Sequence, residues 1–177
     1  MKKVASIISF LFLLTAAACS ESTPEPVDVD LYNDVGDTIG TAEIQPQNKG
    51  VKIKLEVSGI EPGVHGIHIH ENAECEGPDF KSAGAHFNPE DNEHGLMNTE
   101  GPHAGDLQNI KADEEGKVDV ELTAENVTLE ENKPHSLLRE NGTSVVIHEK
   151  ADDGMTDPAG DAGERVACGE IVKKNGD

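Results

Sequence analysis

A strict alternation of apolar and polar residues does most to narrow the folds open to this chain. Between residues 51 and 58, four aliphatic residues alternate with Lys, Glu and Ser, which is the period of a half-buried β-strand. The same alternation recurs at 27–31 and 118–122. Further runs typical of strands cover residues 38–46, 64–71, 106–112, 143–148 and 165–172.

Turn residues separate these runs, as at Glu61-Pro62-Gly63 and Asn141-Gly142, and no window predicts a long amphipathic helix. About eight short strands at regular spacing predict an all-β, antiparallel sandwich or barrel. Two stretches, residues 72–105 and 149–164, show no strand period and are rich in Gly, Pro, Asn and Asp. Loops of this length in a compact domain usually serve a function.

Histidines follow the strand period at two places. In GVHGIHIH, His68 and His70 alternate with two isoleucines, so both imidazoles lie on one face of a strand. His148 ends the run SVVIH, on the face opposite to Val145 and Ile147. Four further candidate ligands follow the spacing H-x7-H-x8-H-x2-D; they are His86, His94, His103 and Asp106. Three imidazoles and one carboxylate are what a closed tetrahedral zinc site takes.

Each of these signals is modest alone. Paired histidines on a strand occur in several classes of metalloprotein, and a single loop histidine is more often a solvated side chain than a ligand. Six of the eight histidines and one aspartate nevertheless fall into this single pattern. The joint pattern therefore indicates a metal-binding function.

The amino terminus has the composition of a secretion signal. Lys2 and Lys3 precede an apolar run too short to span ~30 Å of hydrocarbon, and three alanines then lead to Cys19. Cleavage before Cys19 followed by acylation of its thiol would make the protein a lipoprotein. Ordinary cleavage after the alanines, with Cys19 an incidental terminus, is the alternative. We expect residues 1–18 to be the signal, 19–26 a tether, 27–173 the folded domain and 174–177 a polar tail.

The chain is strongly acidic, with a formal net charge of −21. Such a surface repels nucleic acid and anionic membranes, so we expect no nucleic-acid partner and membrane contact only through a lipid on Cys19. A solvated surface suited to the cell exterior is explanation enough for the charge.

Five segments, GVHGIHIH, SAGAHFNP, GPHAGDL, VVIHEKADD and GERVACGEI, together resemble the copper/zinc superoxide dismutases. The resemblance spans about residues 27–173 and is highly specific. It implies an eight-stranded antiparallel Greek-key barrel, of immunoglobulin-like sandwich type, with two long functional loops. It also implies an exported enzyme whose substrate is the superoxide anion and whose cofactors are a copper ion and a zinc ion.

The resemblance assigns copper to His68, His70, His86 and His148, and zinc to His86, His94, His103 and Asp106. His86 is thereby shared by the two metals. Asp152 corresponds to a carboxylate that links His68 to His94, Arg165 to the guanidinium beside the copper, and Cys75–Cys168 to the family disulfide. An oxidising compartment also favours a bridge between the two cysteines of the folded region.

The sequence also predicts the roles of three basic or titratable residues outside these sets. His65 is expected to be a hydrogen-bonded structural histidine, and His135 to be solvated. Lys150 is the only basic residue between His148 and Arg165, so attraction of an anion to the site should be weak. A non-enzymatic metal-binding lipoprotein on the same barrel is the alternative function, and a homodimer is left open.

Overall fold

The computed structural model describes residues 23–173 and is almost entirely β-structure. Its only helical element in that range is one turn of 3-10 helix, Lys81–Ala83. The nine strands are β1 (Val27–Asn33), β2 (Thr38–Pro46), β3 (Val51–Ser58), β4 (Gly63–His65), β5 (Ile67–His70), β6 (Ile110–Ala112), β7 (Lys117–Ala124), β8 (Thr143–His148) and β9 (Arg165–Ile171). In this range the structure contains no helix of the length and hydropathy needed to cross a bilayer.

The strands form one antiparallel barrel with Greek-key connections. Seven of them make a sheet in the order β5-β8-β9-β1-β2-β3-β7, and β4 pairs with β6. The chain links the two sheets at both edges, since β6 joins β7 through a tight turn and β4 runs directly into β5. Consecutive strands β3 and β4 are separated in the ring by β7 and β6, as are β7 and β8 by β6 and β4–β5, which is the Greek-key arrangement.

The predicted eight-stranded Greek-key fold is confirmed, with two local differences. The run 64–71 is divided at Gly66 into β4 and β5, so eight barrel positions are filled by nine strands. The run 106–112 forms a continuous strand only from Ile110; Asp106 makes an isolated β-bridge with His68, and its side chain lies among the histidines described below.

Aliphatic side chains from the inward faces of the strands fill the barrel, including Leu31, Ile53, Ile67 and Ile147. A second, small cluster lies outside the barrel wall and contains Phe80, Ala83, Val146 and Cys168. β8 is therefore buried on both faces. Residues 125–142, which connect β7 to β8, also contribute core residues, among them Leu129 and Leu137.

Two connections carry the chemistry. The first long loop (residues 71–109) joins β5 to β6, and the second long loop (residues 149–164) joins β8 to β9. The disulfide Cys75–Cys168 ties the first long loop to β9, with the two Cα atoms 5.6 Å apart. The structure thus contains the expected bridge.

Candidate metal centre

The predicted ligands converge on one side of the barrel wall. β5 supplies His68 and His70, and β8 ends at His148. The first long loop lies beside β5, where Phe87 N donates to Ile69 O at 2.8 Å and Ile69 N donates to Gly105 O at 2.8 Å. These backbone bonds bring the loop residues to the strand residues. The side chains that meet are all buried; they are His68, His70, His86, His94, His103, Asp106 and His148.

Four imidazoles form the first donor set. Each has one ring nitrogen that is buried without a hydrogen-bond partner: His68 Nδ1, His70 Nε2, His86 Nε2 and His148 Nε2. The donor atoms of the set lie within 4.8 Å of one another. An unpartnered buried polar nitrogen is costly, and four aimed at one point would be stabilised by a shared cation. Imidazole ligands suit copper in both of its common oxidation states.

The second donor set surrounds a carboxylate oxygen. Asp106 Oδ1 lies 2.9 Å from His86 Nδ1, 3.2 Å from His94 Nδ1 and 3.2 Å from His103 Nδ1. The corners of a tetrahedron with metal–ligand distances of ~2.0–2.1 Å are about 3.3–3.4 Å apart, so these four atoms fit a zinc ion. The other oxygen, Oδ2, accepts hydrogen bonds from Gly95 N and His103 N, which fix the carboxylate.

His86 belongs to both sets. Its Nδ1 lies with Asp106, and its Nε2 lies with the other three unpartnered nitrogens. Its ring centroid is 3.9 Å from that of His68. One imidazole is therefore placed to bridge two metal ions.

Asp152 connects the two sets from the second long loop. His68 Nε2 donates to Asp152 Oδ2 at 2.7 Å, and His94 Nε2 lies 3.1 Å from Oδ1. Because a carboxylate only accepts, these bonds keep the protons on Nε2 and leave Nδ1 of both rings for a metal. Gly160 makes the approach possible: its φ is +60°, and a Cβ there would lie 1.9 Å from Asp152 Oδ1.

Burial and charge set the protonation of these groups. Burial lowers the pKa of His86 to about 4 and that of His148 to about 3, so both rings are neutral near pH 7. Burial also opposes the charge on His94, but hydrogen bonds with Asp106 and Asp152 outweigh it and raise its pKa to about 10. Hydrogen bonds from histidines likewise outweigh burial at both carboxylates and hold their pKa values well below the usual range. Metal binding would therefore displace a proton from His94.

Arg165 begins β9 beside the first set. Its two terminal nitrogens donate to the backbone carbonyls of Phe80 and Gly84, both at 2.6 Å. Burial lowers the pKa of Arg165 from its ordinary value, and the negative charge of Asp79 partly opposes that shift. The guanidinium faces a cavity of about 450 Å³.

That cavity is lined by three carboxylates, Asp34, Asp79 and Glu164, together with Lys81 and Arg165. Lys81 is paired with Asp79 at 2.5 Å. The predicted distant helper, Lys150, lies 3.7 Å from Glu149 and is largely exposed. Lys81 and Lys150 are thus each paired with a nearby acid.

The two remaining histidines, His65 and His135, lie outside both donor sets. His65 is buried, and its ring nitrogens each lie 2.8 Å from a backbone carbonyl, those of His148 and Glu61, which confirms its structural role. The ring of His135 is in part exposed to solvent, and its Nε2 also lies 3.4 Å from a carboxylate oxygen of Glu90, a contact that the sequence did not predict. No periodic pattern in residues 131–137 could have placed that acid next to it.

Comparisons with known proteins agree with this geometry. A sequence profile described as copper/zinc superoxide dismutase matches residues 38–171. The chain belongs to the copper/zinc superoxide dismutase family. It is 45% identical to superoxide dismutase [Cu-Zn] 2 of Aquifex aeolicus over 97% of this chain and 99% of that protein. It is 50% identical to superoxide dismutase [Cu-Zn] 1 of the same organism over 80% of this chain and 85% of the relative.

A solved structure extends the likeness to the backbone. A double mutant of a superoxide dismutase-like protein from Bacillus subtilis superposes with a TM-score of 0.81 at 41% identity, covering 82% of this chain and 97% of that one. The family resemblance inferred from the five sequence segments is therefore confirmed. The copper and zinc expected as cofactors fit both the family and the two donor sets.

Proposed function

We propose that this chain is a superoxide dismutase that converts two superoxide anions and two protons into dioxygen and hydrogen peroxide. The observation that carries the proposal is the pair of donor sets sharing His86, with four unpartnered imidazole nitrogens directed at one point. Copper bound there would supply the electron transfer, by accepting an electron from one superoxide and giving one to the next. Family membership supports the same reaction.

His68, His70, His86 and His148 are proposed to hold the copper, and His86, His94, His103 and Asp106 the zinc. Asp152 would fix the ring tautomers of His68 and His94. The zinc set would act mainly as a structural element, since it orders a loop with almost no regular backbone structure.

The remaining chemistry belongs to two side chains. Arg165, held by two carbonyls, offers a fixed positive charge and hydrogen-bond donors to a two-oxygen anion. His86 Nε2, which belongs to the first donor set, is the nitrogen on which a proton would be held for delivery to the reduced dioxygen. Binding and protonation are thus assigned to different residues.

The non-enzymatic metal-binding module is disfavoured because the chain has both a complete first donor set and Arg165. The discriminating experiment measures copper and zinc content and superoxide consumption of the purified protein after loading with both metals. We expect about one of each metal per chain and a rapid reaction. His148→Ala should lose copper and activity while retaining zinc, whereas His135→Ala, outside both sets, should change neither. Zinc alone at every copper concentration would support the binding module instead.

We further propose that the protein is exported and anchored by a lipid on Cys19, with residues 1–18 removed as a signal and 19–26 serving as a tether. The signal and Cys19 lie outside the described residues. The Cys75–Cys168 disulfide supports export, because such bonds persist mainly in oxidising compartments. Mass spectrometry of the membrane-associated protein should find an acylated amino-terminal Cys19. A free Cys19 thiol would refute the anchor and leave the enzymatic proposal standing.

A further inference from the structure

Asn109 makes a two-way hydrogen-bonded contact with the backbone of Asp152. Asn109 Nδ2 donates to Asp152 O at 2.8 Å, and Asp152 N donates to Asn109 Oδ1 at 2.9 Å. The two residues are 43 positions apart, on the last residue of the first long loop and near the start of the second. Their contact therefore joins the two loops.

The position of Asp152 matters more than that of an ordinary loop residue. Its carboxylate bonds His68 of the first donor set and His94 of the second, and its side chain is only 7% exposed. Rotation of its backbone would break both bonds and release both ring tautomers. Within the described residues, the backbone N–H and C=O of Asp152 form hydrogen bonds only with Asn109.

We propose that Asn109 is a positioning residue for both metals, acting through Asp152. It does not touch any donor atom, and its own side chain is exposed at the protein surface. By holding the Asp152 backbone it sets where the carboxylate meets His68 and His94. Loss of this amide should therefore weaken zinc retention and alter the copper environment together. The inference rests on the proposed metal assignment.

The chain offers a matched control in the same loop. Asn88 makes the same kind of contact with the backbone of Asn92: Nδ2 donates to Asn92 O at 2.8 Å, and Asn92 N donates to Oδ1 at 3.1 Å. Asn92 carries no carboxylate that bridges the two donor sets. Asn88→Ala and Asn109→Ala thus each remove one donated and one accepted bond to a backbone, within one loop in the first case and between the two loops in the second, and only the second pair involves Asp152.

The test uses the protein loaded with copper and zinc and challenged with a chelator. Asn109→Ala should release zinc about tenfold faster than the unaltered chain, in line with the usual effect of losing a partner beyond the ligands. It should also change the electron paramagnetic resonance spectrum of Cu(II), because His68 loses its orientation. Asn88→Ala should leave the spectrum unchanged and the release rate within about twofold. Asn109→Asp, which keeps the acceptor but loses the donor, should be intermediate.

A second background separates positioning from general loosening of the loop. In Asp152→Ala the carboxylate is gone but the backbone contact remains, so adding Asn109→Ala should accelerate zinc release no further. Equal acceleration in both backgrounds, or equal effects of Asn88→Ala and Asn109→Ala, would overturn the proposal. If the unaltered protein bound no zinc or copper, the metal assignment itself would fail, which is a distinguishable result.

Discussion

Arg165 and His70 donate to the same acceptor, the carbonyl oxygen of Gly84: Nη2 of Arg165 lies 2.6 Å from it and Nδ1 of His70 lies 3.0 Å from it. The bond from His70 leaves its Nε2 free for the first donor set. One backbone oxygen therefore fixes both a proposed copper ligand and the cation that would receive the substrate. Both side chains are therefore positioned relative to the same point of the backbone.

Replacing Arg165 by Gln should lower the second-order rate constant for superoxide at least several-fold while leaving metal content unchanged. The positive charge of Arg165 acts on His70 and His148 of the first set, yet Arg165 is not a donor to either metal. Stopped-flow kinetics alongside metal analysis checks both parts. Lys150→Gln is the control and should have little effect, since Lys150 lies beside Glu149. A similar loss in the two variants would contradict the special role of Arg165.

The acids that line the cavity beside Arg165 should slow the approach of superoxide. A unit charge at roughly 10 Å in water contributes ~0.4 kcal/mol, or about a twofold change in local anion concentration. Glu164→Gln should therefore raise the rate constant about twofold at low ionic strength. Added salt should leave the rate of the unaltered protein unchanged or raise it, because screening weakens the repulsion. A steep fall in rate with salt would show instead that the surface attracts the substrate.

Asp106→Ala should lower the melting temperature strongly and should have a smaller effect on the rate of the copper chemistry. Asp106 belongs only to the second donor set, which orders the first long loop. A metal held at 1,000 times its Kd adds ~4 kcal/mol of stability, and its loss corresponds to roughly 10 °C in a domain of this size. Calorimetry and kinetics on the same preparation decide the matter. Proportional losses of both properties would contradict this division between the two sets.

Gly160→Ala should impair metal retention far more than its backbone strain alone explains. The added methyl would overlap Asp152 Oδ1 and come within 2.9 Å of His94 Nε2. Gly59→Ala is the matched control, since Gly59 also has a positive φ (+87°) but nothing lies near the position of its Cβ. Zinc release should be fast only in the Gly160 variant. If the two variants behave alike, the Asp152 contact is not what this glycine protects.

Cys75→Ser should lower the melting temperature by roughly 10 °C, because closing a loop of 93 residues contributes about 4–5 kcal/mol through chain entropy. The disulfide also anchors the segment that carries Phe80 and Gly84, whose carbonyls hold Arg165. The rate constant should therefore fall as well, even at temperatures where the variant is fully folded. A lower melting temperature with an unchanged rate would limit the bond to a stabilising role.

The two-residue period of a β-strand made the paired histidines of the site predictable from the sequence. His68 and His70 had to share a face opposite to Ile67 and Ile69, and the structure places those isoleucines in the barrel core. The wall strand β8 was less regular than its pattern suggested. Val146, on the outward face, is buried by the second apolar cluster, which the first long loop supplies.

The contacts that cross between loops could not be predicted in this way. Asn109 lies in a run predicted as a strand and contacts Asp152 across 43 positions of the chain, whereas Gly160 packs against Asp152 within a loop that has no strand period. Three separate segments supply the acids that line the cavity beside Arg165, namely Asp34, Asp79 and Glu164. Only the folded chain brings these residues together, because nothing in local sequence encodes their spacing.

Because His86 belongs to both donor sets, it couples the evolution of the two metal sites. Each of the other proposed ligands serves one set, so its loss would leave the opposite set complete. A change at His86 removes a donor from both at once. Substitution of any other ligand can thus abolish the copper set or the zinc set alone. Substitution of His86 affects both sets, so selection at this position acts on the two metal sites together.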